Sequence, residues 1–196
     1  MVDVRTSAQA SRWTFAPLTS ENWADLELLF GERGACGGCW CMWWRLSQKE
    51  FEASKGEANR RAFKKLVAGG NTPGILAYRE QQPVGWCAVE PRQAYPRFER
   101  SRILKPVDEQ QVWSVTCFFI HRSARRQGLS VALLGQAAQH VAQRGGSILE
   151  GYPVDKEDSP PVFVWTGTAS AFRKAGFSEV ARRSPTRPIM RMQVSS

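Results

Sequence analysis

Hydrophobic and polar positions along the chain follow two spacings, one suited to strands and one to helices. Val112 to Ile120 (VWSVTCFFI) is rich in Val, Thr, Phe and Ile with little polar alternation, which suits a central strand covered on both faces. Downstream, Ala132, Leu134, Ala138, Val141 and Ala142 recur at helical spacing until Gly145-Gly146 stops the helix. Upstream, Gly74–Tyr78 and Val84–Val89 read as strands joined by the polar turn Arg79 to Pro83, a hairpin. Arg12 to Pro17 predicts a first strand. Ser20 can cap a helix running to about Phe30, with Trp23, Leu26 and Phe30 on one face. Ser47-x-x-Glu50 is a capping box for a second helix that carries Phe51, Phe63, Leu66 and Val67 and ends at Gly69-Gly70. Pro91 to Val107 reads as loop with a short helical turn. Ser147 to Pro153 predicts a fifth strand, Thr168 to Ala175 a short helix, and Phe177 to Arg182 with Ile189 to Gln193 a final strand pair.

Composition bounds what such a chain can be. With 196 residues, 42% of them hydrophobic, it can bury a sizeable core without disulfides or metal, and one domain over residues 1–196 is expected, with residues 1–11 as a flexible tail. No stretch is apolar for the length a bilayer requires, and MVDVRTSAQASR lacks the apolar segment of a signal peptide, so a cytoplasmic protein with no membrane partner is expected. Five cysteines, an odd number, then read as free thiols. The net charge of +9 is concentrated in Arg92 to Lys105, Arg122 to Arg126 and Arg173 to Arg191. Without a recognisable nucleic-acid motif, a solvated basic surface accounts for this charge better than a nucleic-acid partner.

The middle basic cluster has a more specific reading. Arg125, Arg126, Gln127, Gly128, Leu129 and Ser130 join the predicted strand to the predicted helix. The first turn of that helix presents unpaired main-chain N–H groups with the positive end of the helix dipole behind them, and Gly128 lets the backbone approach closely. Such a junction accepts a diphosphate; its plain alternative is a strand-turn-helix with a solvated basic turn.

The pattern Arg125-x-x-Gly128-x-Ser130, after Phe118-Phe119-Ile120 and before Ala132-Leu133-Leu134, resembles the acyl-CoA signature of the GNAT superfamily of N-acyltransferases. Ser130 stands where the family usually has Gly or Ala. Ala171 to Phe177 (AFRKAGF) resembles the family's closing helix and the Gly-Phe that opens the next strand. The resemblance covers roughly residues 12 to 194. It implies an α/β (α+β) GNAT fold, a single mixed twisted sheet of about six or seven strands flanked by about four helices. It also implies an N-acetyltransferase that moves an acetyl group from acetyl-CoA to a primary amine of a small-molecule or peptide acceptor, without metal, and often as a homodimer. The main chain of Phe118, Phe119 and Ile120 would hold pantetheine. The pyrophosphate would sit on Arg126, Gln127, Gly128, Leu129 and Ser130, with Arg125 as charge partner.

The resemblance also implies an acid, commonly a Tyr four residues before the Gly-Phe; this chain has Phe172 there, and Trp165 where an Asn often precedes it. Tyr152 is the nearest substitute, Cys117 or an ordered water could also serve, and Glu90 and Glu150 are candidate bases. Glu150 and Tyr152 alternate onto one strand face as a plausible pair. The loop between the first two helices forms a wall of the acceptor site in this fold, which makes Trp40, Trp43 and Trp44 candidates for an aromatic wall, with core packing open to any of them. Cys36, Cys39 and Cys41, three cysteines in six residues, could supply thiolates to Zn²⁺, yet a structural site normally shows two separated ligand pairs. Two other readings stay open: a non-catalytic CoA-binding sensor using the cysteine loop, and a basic, metal-stabilised RNA-associated protein.

Overall fold

Seven strands form one mixed sheet in the order β1-β2-β3-β4-β5-β7-β6. In the computed structural model, residues 12–156, 160 and 163–194 are described, and the expected N-terminal tail, residues 1–11, lies outside them. The strands are β1 (Thr14–Pro17), β2 (Gly74–Arg79), β3 (Gln82–Pro91), β4 (Trp113–Ile120), β5 (Ile148–Gly151), β6 (Ser178–Arg182) and β7 (Pro188–Gln193). Five α-helices among the described residues accompany them: α1 (Trp23–Phe30), α2 (Gln48–Ser54), α3 (Glu57–Ala68), α4 (Leu129–Gln143) and α5 (Ala169–Lys174). This is the mixed sheet with flanking helices that the motifs implied. The hairpin β2–β3 and the strand pair β6–β7 pair antiparallel, as their sequence spacing predicts.

Two helix boundaries differ from the sequence reading. The first helix starts at Trp23 after Asn22 rather than from a Ser20 cap; the Asn22 amide accepts from the Thr19 N–H at 2.8 Å and donates to the Pro17 carbonyl at 3.0 Å. The second helix breaks into α2 and α3 at Gly56, whose φ is +83°. The break serves docking. The Gly56 N–H donates to the Gly38 carbonyl at 3.0 Å, and the buried Asn59 amide donates to the same oxygen at 3.2 Å. A Cβ on Gly38 would lie 2.5 Å from the Gly56 nitrogen, so the glycine at 38 allows the cysteine loop to rest on the helix break. The capping box is present, with Ser47 and Glu50 bonded reciprocally.

The sheet separates two apolar layers. On one face Leu129, Leu133, Leu134, Ala137 and Val141 of α4 pack with Val115 and Phe118 of β4 and Phe172 of α5. On the other, Trp23, Leu26 and Phe30 of α1 and Phe63 and Val67 of α3 close over Leu76 and Trp86. β4 is therefore covered on both sides, which is why its sequence lacks polar alternation.

Candidate active site

The site begins where β4 loses a neighbour. β4 pairs with β3 from Trp113 to Ile120, but with β5 only at Trp113, Ser114 and Val115, which face Leu149, Glu150 and Gly151 in parallel. Beyond Val115 the two parallel strands part, leaving one edge of β4 unpaired by strand. The register against β3 also slips between Ala88 and Val89, so Thr116 is the extra residue of a β-bulge. The freed edge is covered in part by a segment before α5: the Phe118 N–H donates to the Trp165 carbonyl at 2.6 Å.

Past Ile120 the chain makes the basic turn. Arg126 (φ +58°) and Gly128 (φ +81°) are both left-handed, and α4 starts at Leu129. Among the described residues, no main-chain partner is present for the N–H groups of Gln127, Gly128, Leu129 and Ser130, which lead into α4. A Cβ on Gly128 would meet nothing within 4 Å, so the backbone angle alone asks for glycine there. The turn is braced from below. Gln127 donates to the Ser123 carbonyl at 2.8 Å and accepts from Arg79 at 2.6 Å. Arg125 folds back, its Nε donating to the Ile120 carbonyl at 2.9 Å.

A cavity of about 900 Å³ runs along the freed edge. Thr116, Cys117, Phe118, Phe119, Ile120 and Arg125 form one side; Cys36, Cys39, Cys41, Trp43, Trp44 and Phe51 face them. Val164 and Trp165 close the β5 side, and Glu52 and Lys55 stand at the rim, paired at 2.6 Å and about half exposed. Two of the three predicted aromatic residues are fixed on the wall. Trp43 lies under Arg97, 3.6 Å from its ring centre, and meets Phe51 edge-on. Trp44 stacks on Phe98 at 4.4 Å and donates its indole N–H to the Thr116 carbonyl at 3.3 Å. Trp40 is elsewhere: buried, it stacks near Trp23 and Phe30, and it holds the loop in the core rather than lining the cavity.

Glu90, Glu150 and Tyr152 lie outside the cavity lining. Glu90 is ion-paired with Arg45, both nearly enclosed. Glu150 and Tyr152 do share a face, as the alternation predicts: the Tyr152 hydroxyl donates to Glu150 at 2.6 Å. Arg92 and Arg191 complete the carboxylate's shell at 3.3 and 2.6 Å. Burial, followed by the neighbouring Glu150 charge, pushes the Tyr152 hydroxyl well above its ordinary value. Phe172 fills the place where the parallel strands part. Its ring sits against Gly151 and Gly167, where Cβ atoms would come within 2.0 and 2.8 Å of it. Among the described residues, no group of three or more His, Cys, Asp or Glu is arranged to hold a metal ion. Nor is any helix among them long and apolar enough to cross a membrane.

Sequence reasoning missed several lining residues. Thr116 is the bulge residue, and bulges leave no local signal in an apolar run. Trp165 lies in an irregular segment whose path depends on Gly167 (φ +84°). Phe51 reads from sequence as a core position of α2. Arg45, the partner of Glu90, does carry a signal, being a charge set directly after Trp43 and Trp44.

A family model described as acetyltransferase (GNAT) family matches residues 40–156, more than half of the chain. The chain belongs to this family. Its fold also resembles solved structures of low sequence identity. An acetyltransferase of the GNAT family from Listeria monocytogenes has a TM-score of 0.57 at 8% identity, over 93% of this chain and 95% of that one. PaiA N-acetyltransferase from Thermoplasma acidophilum, solved with coenzyme A, has 0.52 at 13%, over 92% and 98%. The yncA protein of Salmonella typhimurium, solved with acetyl-CoA, has 0.53 at 11%, over 94% and 95%. Comparison with curated protein sequences finds no match to this chain.

Proposed function

We propose that this chain transfers the acetyl group of acetyl-CoA to the primary amine of a small acceptor with an apolar, preferably aromatic, body. The observation that carries the reading is a juxtaposition. One cavity joins the edge of β4 that β5 leaves to the Arg125 turn, whose left-handed residues lead into N–H groups at the start of α4 with no main-chain partner among the described residues. An extended pantetheine can bond along the main chain of Phe118, Phe119 and Ile120. Its pyrophosphate suits Arg126, Gln127, Gly128, Leu129 and Ser130, with Arg125 contributing charge.

The acceptor class follows from the opposite wall. Trp43, Trp44, Phe51 and Trp165 offer ring faces and edges, while the single carboxylate among the described lining residues, Glu52, is already paired to Lys55 at the rim. Among the described lining residues a polyamine or aminoglycoside would find no unpaired counter-charge for its several ammonium groups, at a cost of about several kcal/mol each. An arylalkylamine needs only its one amine at the thioester.

The amine nitrogen attacks the thioester carbonyl carbon, the C–N bond forms, and the C–S bond breaks from the tetrahedral intermediate. The acceptor is N-acetylated, and the proton lost from its nitrogen is returned to the CoA thiolate, directly or through water. The chain's part is to bind and align a neutral amine against the thioester and to exclude bulk water. Glu90, Glu150 and Tyr152, each held in a buried ion-pair network, support the wall and take no direct part in proton transfer. Calorimetry with acetyl-CoA and release of CoA thiol with an amine panel test the reading together. It predicts binding and fastest release with phenylethylamine or tryptamine; absence of acetyl-CoA binding overturns it.

A further inference from the structure

The basic turn between β4 and α4 rests on a residue from a distant strand. Arg79 ends β2, directly before the left-handed pair Glu80 and Gln81 that turns the chain into β3. Strand alternation puts it on the face of Ile75 and Ala77, which pack with α4. Gly85 on β3 lets α4 come close to this hairpin, since a Cβ there would lie 2.9 Å from a Leu129 methyl.

The Arg79 guanidinium reaches the underside of the turn. One terminal nitrogen donates to the Gln127 side-chain oxygen at 2.6 Å, and the other donates to the Ser123 carbonyl at 3.4 Å. The Gln127 amide closes the triangle by donating to the same Ser123 carbonyl at 2.8 Å. Ser123 is itself held, its hydroxyl 2.8 Å from Nδ1 of His121. On its other side the guanidinium covers the buried ring of Trp13, with its central carbon 4.4 Å from the ring centre. A planar fork that stacks and bonds two acceptors is arginine chemistry, which a lysine does not reproduce.

Two features set Arg79 apart from a surface brace. Among the described residues it has no carboxylate partner, so its charge stands uncompensated beneath the turn. Its Nε is buried with no hydrogen-bond partner among them, a cost that the fold bears at this place. Gln127, to which it bonds, lies between Arg126 and Gly128, both left-handed. The side-chain tether therefore acts on the corner that aims the N–H groups of Gln127 to Ser130.

We propose that Arg79 is a positioning residue for the cofactor's diphosphate, acting through Gln127; this rests on the acetyl-CoA reading above. Fixing the Gln127 side chain sets the direction of the N–H groups that meet the phosphates, and the guanidinium charge adds to the attraction for an anion on the turn. Arg79 is remote from the thioester and the amine. It strengthens binding of the phosphate-bearing part of the cofactor and leaves the chemical step alone, so its loss raises KM for acetyl-CoA with kcat unchanged.

The test compares the native chain with Arg79→Met, which keeps an apolar stem over Trp13, with Gln127→Ala, and with the double variant. Calorimetry gives the Kd of acetyl-CoA, and competition against it gives that of S-acetylpantetheine, which has the thioester arm and no phosphate. Each single variant should weaken acetyl-CoA about tenfold, with S-acetylpantetheine held within about twofold throughout. The double variant should lose little more than either single one, because the two side chains act as a unit. Amide hydrogen exchange of the cofactor-free chain reads the same tether. The N–H groups of Ala124, Val131 and Ala132, bonded within the turn and the start of α4, should exchange faster in both single variants, and those of α3 should not. If Arg79→Met does not fold, Gln127→Ala carries both comparisons. Equal weakening of the two ligands, losses that add in the double variant, or unchanged exchange overturns the proposal and leaves the acetyltransferase reading intact. Failure of the native chain to bind acetyl-CoA overturns that reading and this proposal together.

Discussion

The main-chain N–H of Phe118 donates to the carbonyl of Trp165 at 2.6 Å, across the gap left where β5 turns away from β4. This amide belongs to the stretch that the proposed function gives to pantetheine, and on that proposal the Trp165 segment occupies a position that the substrate needs. Trp165 also touches Trp44, with ring centres 5.8 Å apart. On the same proposal, binding of acetyl-CoA has to break the Phe118–Trp165 bond and shift an indole against Trp44. Intrinsic tryptophan fluorescence should change on titration with acetyl-CoA, and most of the change should vanish in Trp165→Phe while Trp113→Phe retains it. An unaltered signal in Trp165→Phe would show that the segment stays in place.

Gly128 offers a test that separates backbone strain from contact. Its φ of +81° costs an L-residue about 1–2 kcal/mol, while a Cβ there meets nothing within 4 Å. Gly128→Ala should lower Tm by about 2–8 °C. By tilting the free N–H groups of Gln127 to Ser130, it should also weaken acetyl-CoA binding about tenfold. Arg125→Ala, at an exposed position, should weaken binding to a similar degree with little change in Tm, and the loss should shrink as salt is raised.

Glu90 and Arg45 form an ion pair whose side chains are only 10% and 7% exposed. Removing one charge leaves the other buried without its counter-ion, which costs about 3–5 kcal/mol, whereas replacing both by apolar groups is close to neutral. Glu90→Gln should therefore unfold at markedly lower temperature, and Arg45→Met with Glu90→Leu should recover most of the loss. Assayed below its Tm, Glu90→Gln should keep kcat within about threefold. A fall of about 10² or more would make Glu90 a proton acceptor after all.

The contrast between Gly128 and Trp165 explains how far the sequence could be read. The β4–turn–α4 junction is contiguous, its strand and helix have distinct apolar periods, and its glycine is required by a backbone angle, so each part leaves a local mark. The cavity walls are non-local. Thr116 lines the cavity because β4 slips one residue against β3, and Trp165 because β5 departs after Gly151; neither event is encoded near the residue it positions. Glu150 and Tyr152 could be placed on one face from strand alternation alone. That the face turns toward Arg92 and Arg191 depends on packing with the segment after β3 and with β7. The same holds for the division of labour among Trp40, Trp43 and Trp44, which are similar in sequence context and part company only when the loop rests on Gly56.

His140, on the buried face of α4, gives the fold a pH dependence of definite sign. Burial, reinforced by the Arg144 charge, pushes its imidazole down to about 4, and its buried Nε2 has no hydrogen-bond partner among the described residues. In the unfolded chain the same group titrates near 6.5, an ordinary value of roughly that size. Between these two values the unfolded state binds the proton more tightly, so the contribution to stability is complete above about pH 6.5 and is lost as pH falls toward 4. The slope from this one group reaches about 1.4 kcal/mol per pH unit. Urea unfolding measured from pH 7.5 down to pH 4.5 should show a shallower decline for His140→Leu than for the native chain. Because the substitution also removes an unpaired polar atom from the interior, stability at pH 7.5 should be unchanged or higher. Parallel curves would mean that His140 reaches solvent or a partner when protonated, and that acid lability arises from the buried carboxylate pairs instead.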